Sequence, residues 1–322
     1  MAGTADIRLQ PLTRRRVEAL GEVGETWLAE LPGRLQQLAA RWDLTLGRVM
    51  PGGSASYVVA ATDSADRHLV VKVGLPGHPL GEEGQLLRVA DGWGYARCHG
   101  LDEEHDALLL EQLGTPMEFK PMPPGAKLDR LVDTLRAAWT VDPATVAVEP
   151  GPSGRAKAEA LVRLVEQTDQ RLGGVCRPDI RELALEYAAR RAADDTATLV
   201  VAHGDPHPAN ALQVRVPRAG AESGWCFVDP DGFACDPAYD LGVLLRDWST
   251  RLLARSPEEA RLQLRRWCSR VVERSGLGVD AIDRAWEWAF LERVSTGLHV
   301  MGFGAHELGA RFLDSAAHLL DV

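Results

Sequence analysis

The sequence predicts an α+β chain in two parts, an antiparallel sheet carrying one helix over residues 1–114 and a mostly helical remainder over 115–322. Three observations carry this. β-Branched runs crowd the first third, where LTLGRVM, YVVAAT and HLVVKVGL are separated by short Gly, Ser and Asp turns, as in hairpins. A Pro/Gly-rich passage, TPMEFKPMPPGAK, then interrupts the pattern and reads as a connection. Beyond it, apolar residues recur at helical spacing in five long segments.

Taken in order, residues 16–42 place Leu28, Leu31, Leu35, Leu38 and Trp42 on one helical face, and the Pro32-Gly33 pair is expected to break that helix. The three strand-like runs follow. Residues 82–91 read as a helix stopped by Gly92, and YARCHGL and ALLLEQLG read as two more strands. In the second part, helices are expected over 128–139, 158–172, 181–195, 256–275 and 279–298, interrupted by the β-type segments TLVVAHGD and GWCFVDPDG. EPGPSGRAK, at 149–157, reads as a mobile loop.

The 322 residues are 45% hydrophobic and 25% charged, the balance of a soluble globular protein. A net charge of -10 argues against a nucleic-acid partner. No apolar run approaches the ~18 residues of a membrane span, and no apolar stretch follows the basic residues of the N-terminus. A cytoplasmic location is expected. The five cysteines form no C-x-x-C pair, so neither a disulfide framework nor a zinc site is expected. Of 36 basic residues only Lys72, Lys120, Lys127 and Lys157 are lysines, so a lysine inside an apolar strand stands out.

The densest chemical signal is HGDPHPAN, His203 to Asn210. Gly204, Pro206 and Pro208 exclude a helix there and favour a rigid turn. The five-residue step from Asp205 to Asn210 matches catalytic loops in which the Asp accepts a hydroxyl proton and the Asn holds Mg²⁺. Asp229 ends the apolar run CFV, 19 residues after Asn210, where a second Mg²⁺ ligand is needed. Phosphoryl transfer concentrates negative charge. Mg²⁺ neutralises it with hard oxygen ligands, and a carboxylate receives the proton of the attacking hydroxyl. An isolated Asp in a turn is commonly a local hydrogen-bond acceptor; the ordered set of three is what points to catalysis.

Lys72 interrupts LVVKV. It is either a phosphate-gripping lysine held by a helix glutamate, Glu83 or Glu82, or an edge-strand lysine reaching water. Gly52, Gly53 and Ser54, in the turn PGGSAS, could present backbone N–H groups to phosphates, or simply close a hairpin. The backbone from Glu111 to Leu113 in LLLEQLG could meet an adenine edge, or be buried strand. DPAYDL begins a helix, with Asp236 suited to its N-cap and Pro237 to its first position. Asp240 is expected to accept backbone N–H groups of the 203–205 turn.

Together TWLAELPGRLQQLAARWDL, GGSAS, VVKVGLP, LLLEQLG, HGDPHPAN, VDPDG and DPAYDL resemble the aminoglycoside phosphotransferase family, in its streptomycin 6-kinase/hydroxyurea kinase branch. The resemblance implies a bilobal, protein-kinase-like fold, with a nucleotide-binding first lobe, nucleotide in the cleft and an acceptor site in the second lobe. It implies Asp205 as catalytic base, Asn210 and Asp229 as Mg²⁺ ligands, and Lys72 as the phosphate-binding lysine. The donor expected is ATP, with GTP also open. The acceptor expected is a small hydroxylated molecule: an aminoglycoside such as streptomycin, hydroxyurea, or an amino alcohol or sugar. Asp231, Asp236, Asp240 and Glu292 would suit a cationic one. The DGFAC stretch departs from the Pro-containing segment of streptomycin kinases, so the resemblance bears on the reaction more than on the acceptor. Two other readings stand beside it. His203, Asp205 and His207 form H-x-D-x-H, a possible metallohydrolase ligand set. A kinase-like binding module without activity is the other, against which the presence of Lys72, Asp205 and Asp229 argues.

Overall fold

The alternating runs of the first third pair into one antiparallel sheet. Its strands are β1 (Leu44–Val49), β2 (Ser56–Asp63), β3 (His68–Gly74), β4 (Cys98–Asp102) and β5 (Ala107–Glu111), in the order β1-β2-β3-β5-β4. These elements come from a computed structural model that describes residues 7–50, 56–146, 154–195 and 199–321. Gly52, Gly53, Ser54 and most of the 149–157 stretch lie outside the described residues. The chain divides into two units, Met1–Gly114 and Thr115–Val322.

In the first unit, helices α1 (Pro11–Ala19) and α2 (Glu22–Arg41) precede the sheet, and α3 (Gly81–Ala90) follows β3. Alternation sorts β3 between two faces. Leu69, Val71 and Val73 join Trp27, Leu31, Leu35 and Leu38 of α2 in one buried cluster. Lys72 points the other way. The expected break at Pro32-Gly33 does not occur: α2 runs through Pro32. Leu31 and Leu35, on either side, are buried against the sheet. Burial of each contributes about 2 kcal/mol, enough to offset the roughly 3 kcal/mol of an interior proline.

The second unit contains α4 (Pro124–Ala138), α5 (Arg155–Arg171), α6 (Pro178–Ala193), α7 (Ala238–Arg246), α8 (Ser249–Leu253), α9 (Pro257–Ser275), α10 (Ala281–Gly302) and α11 (His306–His318). Two short antiparallel pairs lie among them: β6 (Val200–Ala202) with β9 (Phe233–Cys235), and β7 (Ala211–Gln213) with β8 (Trp225–Phe227). α10 is buried on nearly every side, as a central helix must be when apolar residues surround it. α7 crosses it closely at Gly242, where an added Cβ would collide with Trp288 and stand 2.7 Å from the Ala289 nitrogen. Arg293 of α10 is fully buried. It donates to the Ser249 and Ser315 hydroxyls, at 2.9 and 2.8 Å, and to the Leu245 carbonyl at 3.0 Å. Burial draws its pKa down to about 10, so it stays charged at neutral pH. No helix among the described residues is long and apolar enough to cross a membrane.

Candidate active site

The HGDPHPAN loop is the segment that joins β6 to β7. It leaves β6 through Gly204, whose φ is +91°, a conformation open chiefly to glycine. A Cβ there would also stand 2.5 Å from the Asp231 carboxylate. His203 is buried, with Nε2 3.1 Å from the Val228 carbonyl and Nδ1 accepting the Asp205 N–H at 3.1 Å. Burial lowers its pKa to about 4, so the ring is neutral. With both nitrogens engaged by backbone, His203 is a brace and not a metal ligand, which removes the H-x-D-x-H metal set.

Asp240 anchors the same turn from α7. Its carboxylate accepts the His203 and Gly204 N–H groups at 2.9 and 3.0 Å, as expected, and also the Trp139 indole N–H at 2.9 Å. Burial pushes its pKa up to about 6, against the lowering effect of these three donors. α7 begins at Ala238, one residue later than expected, with the Asp236 carboxylate accepting the Ala238 N–H at 3.0 Å.

Asp205 projects from this braced turn. Its Oδ1 accepts from Arg246 Nη2 at 2.6 Å, and its Oδ2 lies 3.2 Å from His207 Nε2. Burial alone would raise its pKa, but the Arg246 charge and the His207 hydrogen bond prevail and hold the carboxyl far below the usual range. Burial likewise disfavours charged His207, yet the Asp205 carboxylate raises its pKa overall. Arg246 sits at the centre of an anionic shell. Its other contacts are Asp247 Oδ1 at 3.1 Å, Thr296 Oγ1 at 3.3 Å and Glu292 Oε2 at 3.5 Å. Glu292 Oε1 in turn accepts the Tyr239 hydroxyl at 2.5 Å.

Asn210 closes the loop. Its Nδ2 donates to the Asp205 carbonyl at 3.0 Å, which turns Oδ1 into the available ligand atom of the amide. Its own carbonyl accepts the Val228 N–H at 3.0 Å, tying it to the end of β8, directly before Asp229. Asp229 has a φ of +56°, so the chain turns sharply at that carboxylate. An amide oxygen and a carboxylate are the hard donors Mg²⁺ prefers.

In the first unit, Lys72 lies on the central strand and is 6% exposed, which excludes an edge lysine reaching water. Its ammonium contacts both oxygens of Glu83 on α3, at 2.7 and 2.5 Å; Glu82 is exposed. The Glu111 N–H donates to the Arg97 carbonyl, and its side chain accepts the Arg97 N–H, both at 2.9 Å. Leu113 is buried.

Of the acidic residues expected to face a cation, Asp236 is paired with Arg284 at 3.1 Å. Asp240 and Glu292 are internally bonded as described. Asp231 alone of the four has a half-exposed side chain, 54%. Arg246, Trp139 and Tyr239 were not anticipated as site residues. The arginine does leave a trace, since it ends an otherwise apolar run, LGVLLR, on a buried helix. A separate group of Asp102, Glu104 and His105 could hold a cation by its ligand spacing. The Arg41 guanidinium already binds both of those carboxylates, and Gln37 binds His105.

The sequence model of the aminoglycoside/hydroxyurea antibiotic resistance kinase family matches residues 41–293. The chain is 26% identical over 240 residues to streptomycin 6-kinase of Streptomyces glaucescens, covering 72% of each protein. It is 27% identical over 237 residues to hydroxyurea phosphotransferase of Kitasatospora aureofaciens, covering 69% of this chain and 62% of that one. Its fold matches a choline kinase from Streptococcus pneumoniae with a TM-score of 0.59 at 13% identity, over 89% of this chain and 97% of the other. The family match takes in the sheet, the HGDPHPAN loop and most of the helical unit, and by it this chain belongs to the aminoglycoside/hydroxyurea antibiotic resistance kinases, phosphotransferases that act on hydroxyl groups.

Proposed function

We propose that the protein transfers the γ-phosphate of ATP to a hydroxyl of an antibiotic-type acceptor, with an aminoglycoside such as streptomycin as the first candidate. The observation that carries this reading is the Asp205 carboxylate, kept ionised by Arg246 and His207 on a turn that also carries Asn210. Asp205 orients the acceptor hydroxyl and receives its proton. A carboxylate of such low basicity takes that proton late, as the new O–P bond forms and the hydroxyl becomes acidic, which suits a loose transition state. Asn210 and Asp229 would hold Mg²⁺, which when bound neutralises charge on the triphosphate. Lys72, fixed by Glu83, binds the phosphates of the nucleotide. Gly52, Gly53 and Ser54 are assigned to the phosphates as well, and the Glu111–Leu113 backbone to the base. The protein acts in the cytoplasm, where the triphosphate is available.

Hydroxyurea is the second acceptor to test, because a hydroxyurea phosphotransferase is among the relatives. The experiment is mass spectrometry of streptomycin, hydroxyurea and simple amino alcohols after incubation with ATP or GTP and Mg²⁺. Gain of one phosphate on streptomycin supports the first reading, and gain on hydroxyurea the second. Tight ATP binding with no acceptor modified would overturn the antibiotic reading. Asp229→Ala is expected to weaken nucleotide binding with Mg²⁺ present; unchanged affinity would remove Asp229 from the ligand set.

A further inference from the structure

Beside Asp205 the second unit already holds a positive charge in an aromatic setting. The Lys157 ammonium of α5 lies 4.7 Å from the ring centre of Phe233 and 5.1 Å from that of Tyr239, within reach of a cation–π attraction. The Asp231 carboxylate is 3.9 Å away, too far for a direct hydrogen bond. These groups belong to the same neighbourhood as the candidate base. Asp231 packs over Gly204, the residue before Asp205, and its N–H donates to the His203 carbonyl at 2.8 Å. The Tyr239 hydroxyl is 3.3 Å from the Gly204 carbonyl.

The hold on Lys157 is loose. Its side chain is 22% exposed, its partner carboxylate is 54% exposed and the two stand 3.9 Å apart, and ion pairs open to water on one side and without a hydrogen bond are weak. A guanidinium stacks on aromatic faces and matches a carboxylate in two-pronged fashion, and it is less strongly hydrated than an ammonium. Such a group would occupy the same place with better geometry. We propose that Asp231, Phe233 and Tyr239 form a cation subsite beside Asp205, that Lys157 fills it when no acceptor is bound, and that a guanidinium or ammonium of the acceptor displaces Lys157. Lys157 is then an internal competitor. It raises the concentration at which cationic acceptors bind and leaves uncharged acceptors unaffected through this contact. The inference deepens the kinase reading and rests on it for the word acceptor.

The test is calorimetric binding of two probes, methylguanidinium and streptomycin, to the full chain and to three variants. Lys157→Met should bind both probes about 2- to 5-fold more tightly, as expected for release of a weak exposed pair. Asp231→Asn and Phe233→Leu should each bind them about 3- to 10-fold more weakly, the scale of a lost partly solvated ionic or cation–π contact. Phe233→Leu keeps an apolar side chain in place, so its effect separates loss of the ring face from loss of packing. Weaker or unchanged binding by Lys157→Met would overturn the proposal. So would no detectable methylguanidinium binding to any of the four proteins. Phosphate transfer is measured separately on the same samples. Guanidinium binding that follows the predicted order without transfer would sink the kinase reading and leave the subsite standing.

Discussion

Lys72–Glu83 in the first unit and Asp205–Arg246 in the second are both short charge pairs, but they are built on different principles. The first is a bidentate contact, in which one lysine on a central strand meets both carboxylate oxygens of one glutamate on the next helix, 11 residues apart and both shielded. The second is one edge of a network in which Arg246 also meets Asp247, Glu292 and Thr296, and Asp205 also meets His207. A bidentate pair loses both of its contacts at once when either member is removed. A network redistributes, since other oxygens still face the arginine when one carboxylate is removed. The difference teaches that the first unit fixes one charge in one place, whereas the second sets the ionisation of a carboxylate through several partners.

The largest expected effect breaks the network at Asp205, the proposed base. Asp205→Ala should lower turnover by about 10³-fold, the scale of a lost general base, while nucleotide affinity by calorimetry stays within about 2-fold because that affinity is assigned to other residues. Next, Lys72→Met should lower kcat/KM for the nucleotide by about 10²-fold as a charge-stabilising contact is lost. It should also destabilise the fold by about 3 kcal/mol in urea unfolding, because the shielded Glu83 carboxylate loses both of its contacts to the ammonium. If stability is unaffected, the Glu83 contact contributes nothing to holding the fold.

Arg246→Met should destabilise by a similar amount, about 3 kcal/mol, and reduce kcat more than KM. Arg246→Lys should recover part of the stability but less of the kcat, because an ammonium cannot reproduce the guanidinium's several directed contacts. Equal recovery of both would reduce Arg246 to a packing role. The smallest effect concerns the brace. Asp240→Asn places an amide against three N–H donors and should cost about 2 kcal/mol. Asp240 has a folded pKa of about 6, above the unfolded value near 3.9, so folding favours its protonated form. Its contribution is fully present below about pH 4 and is lost as pH rises through about 6. The stability gap between wild type and Asp240→Asn should therefore be wider at pH 4.5 than at pH 7.5.

The sheet and the helix carrying Glu83 are legible in the sequence because each rests on local pattern. Lys72 is legible because one charge in an apolar strand needs a partner, and the next helix supplies two candidates. The loop from His203 to Asn210 is legible because Gly and Pro at fixed offsets leave few backbone shapes. Arg246 and Tyr239 are not, and Glu292 is legible only as an acidic residue and not as their partner, because their meeting depends on how α7 packs on α10, more than 40 residues apart in the chain. α11 was missed although its Phe312, Leu313 and Ala316 are buried. The continuity of α2 through Pro32 escaped the opposite way, since tertiary burial outweighed a strong local signal.

The close crossing at Gly242 has a consequence for how this enzyme could change over generations. Gly242 and Arg246 are one turn apart on α7, as are Trp288 and Glu292 on α10, so the glycine contact sets the distance at which the second members of each pair meet. A larger residue at 242 would leave every motif of the HGDPHPAN loop intact and still spread the two helices. The reach of Arg246 towards Glu292 and Asp205 could thus change with every diagnostic sequence signature left in place.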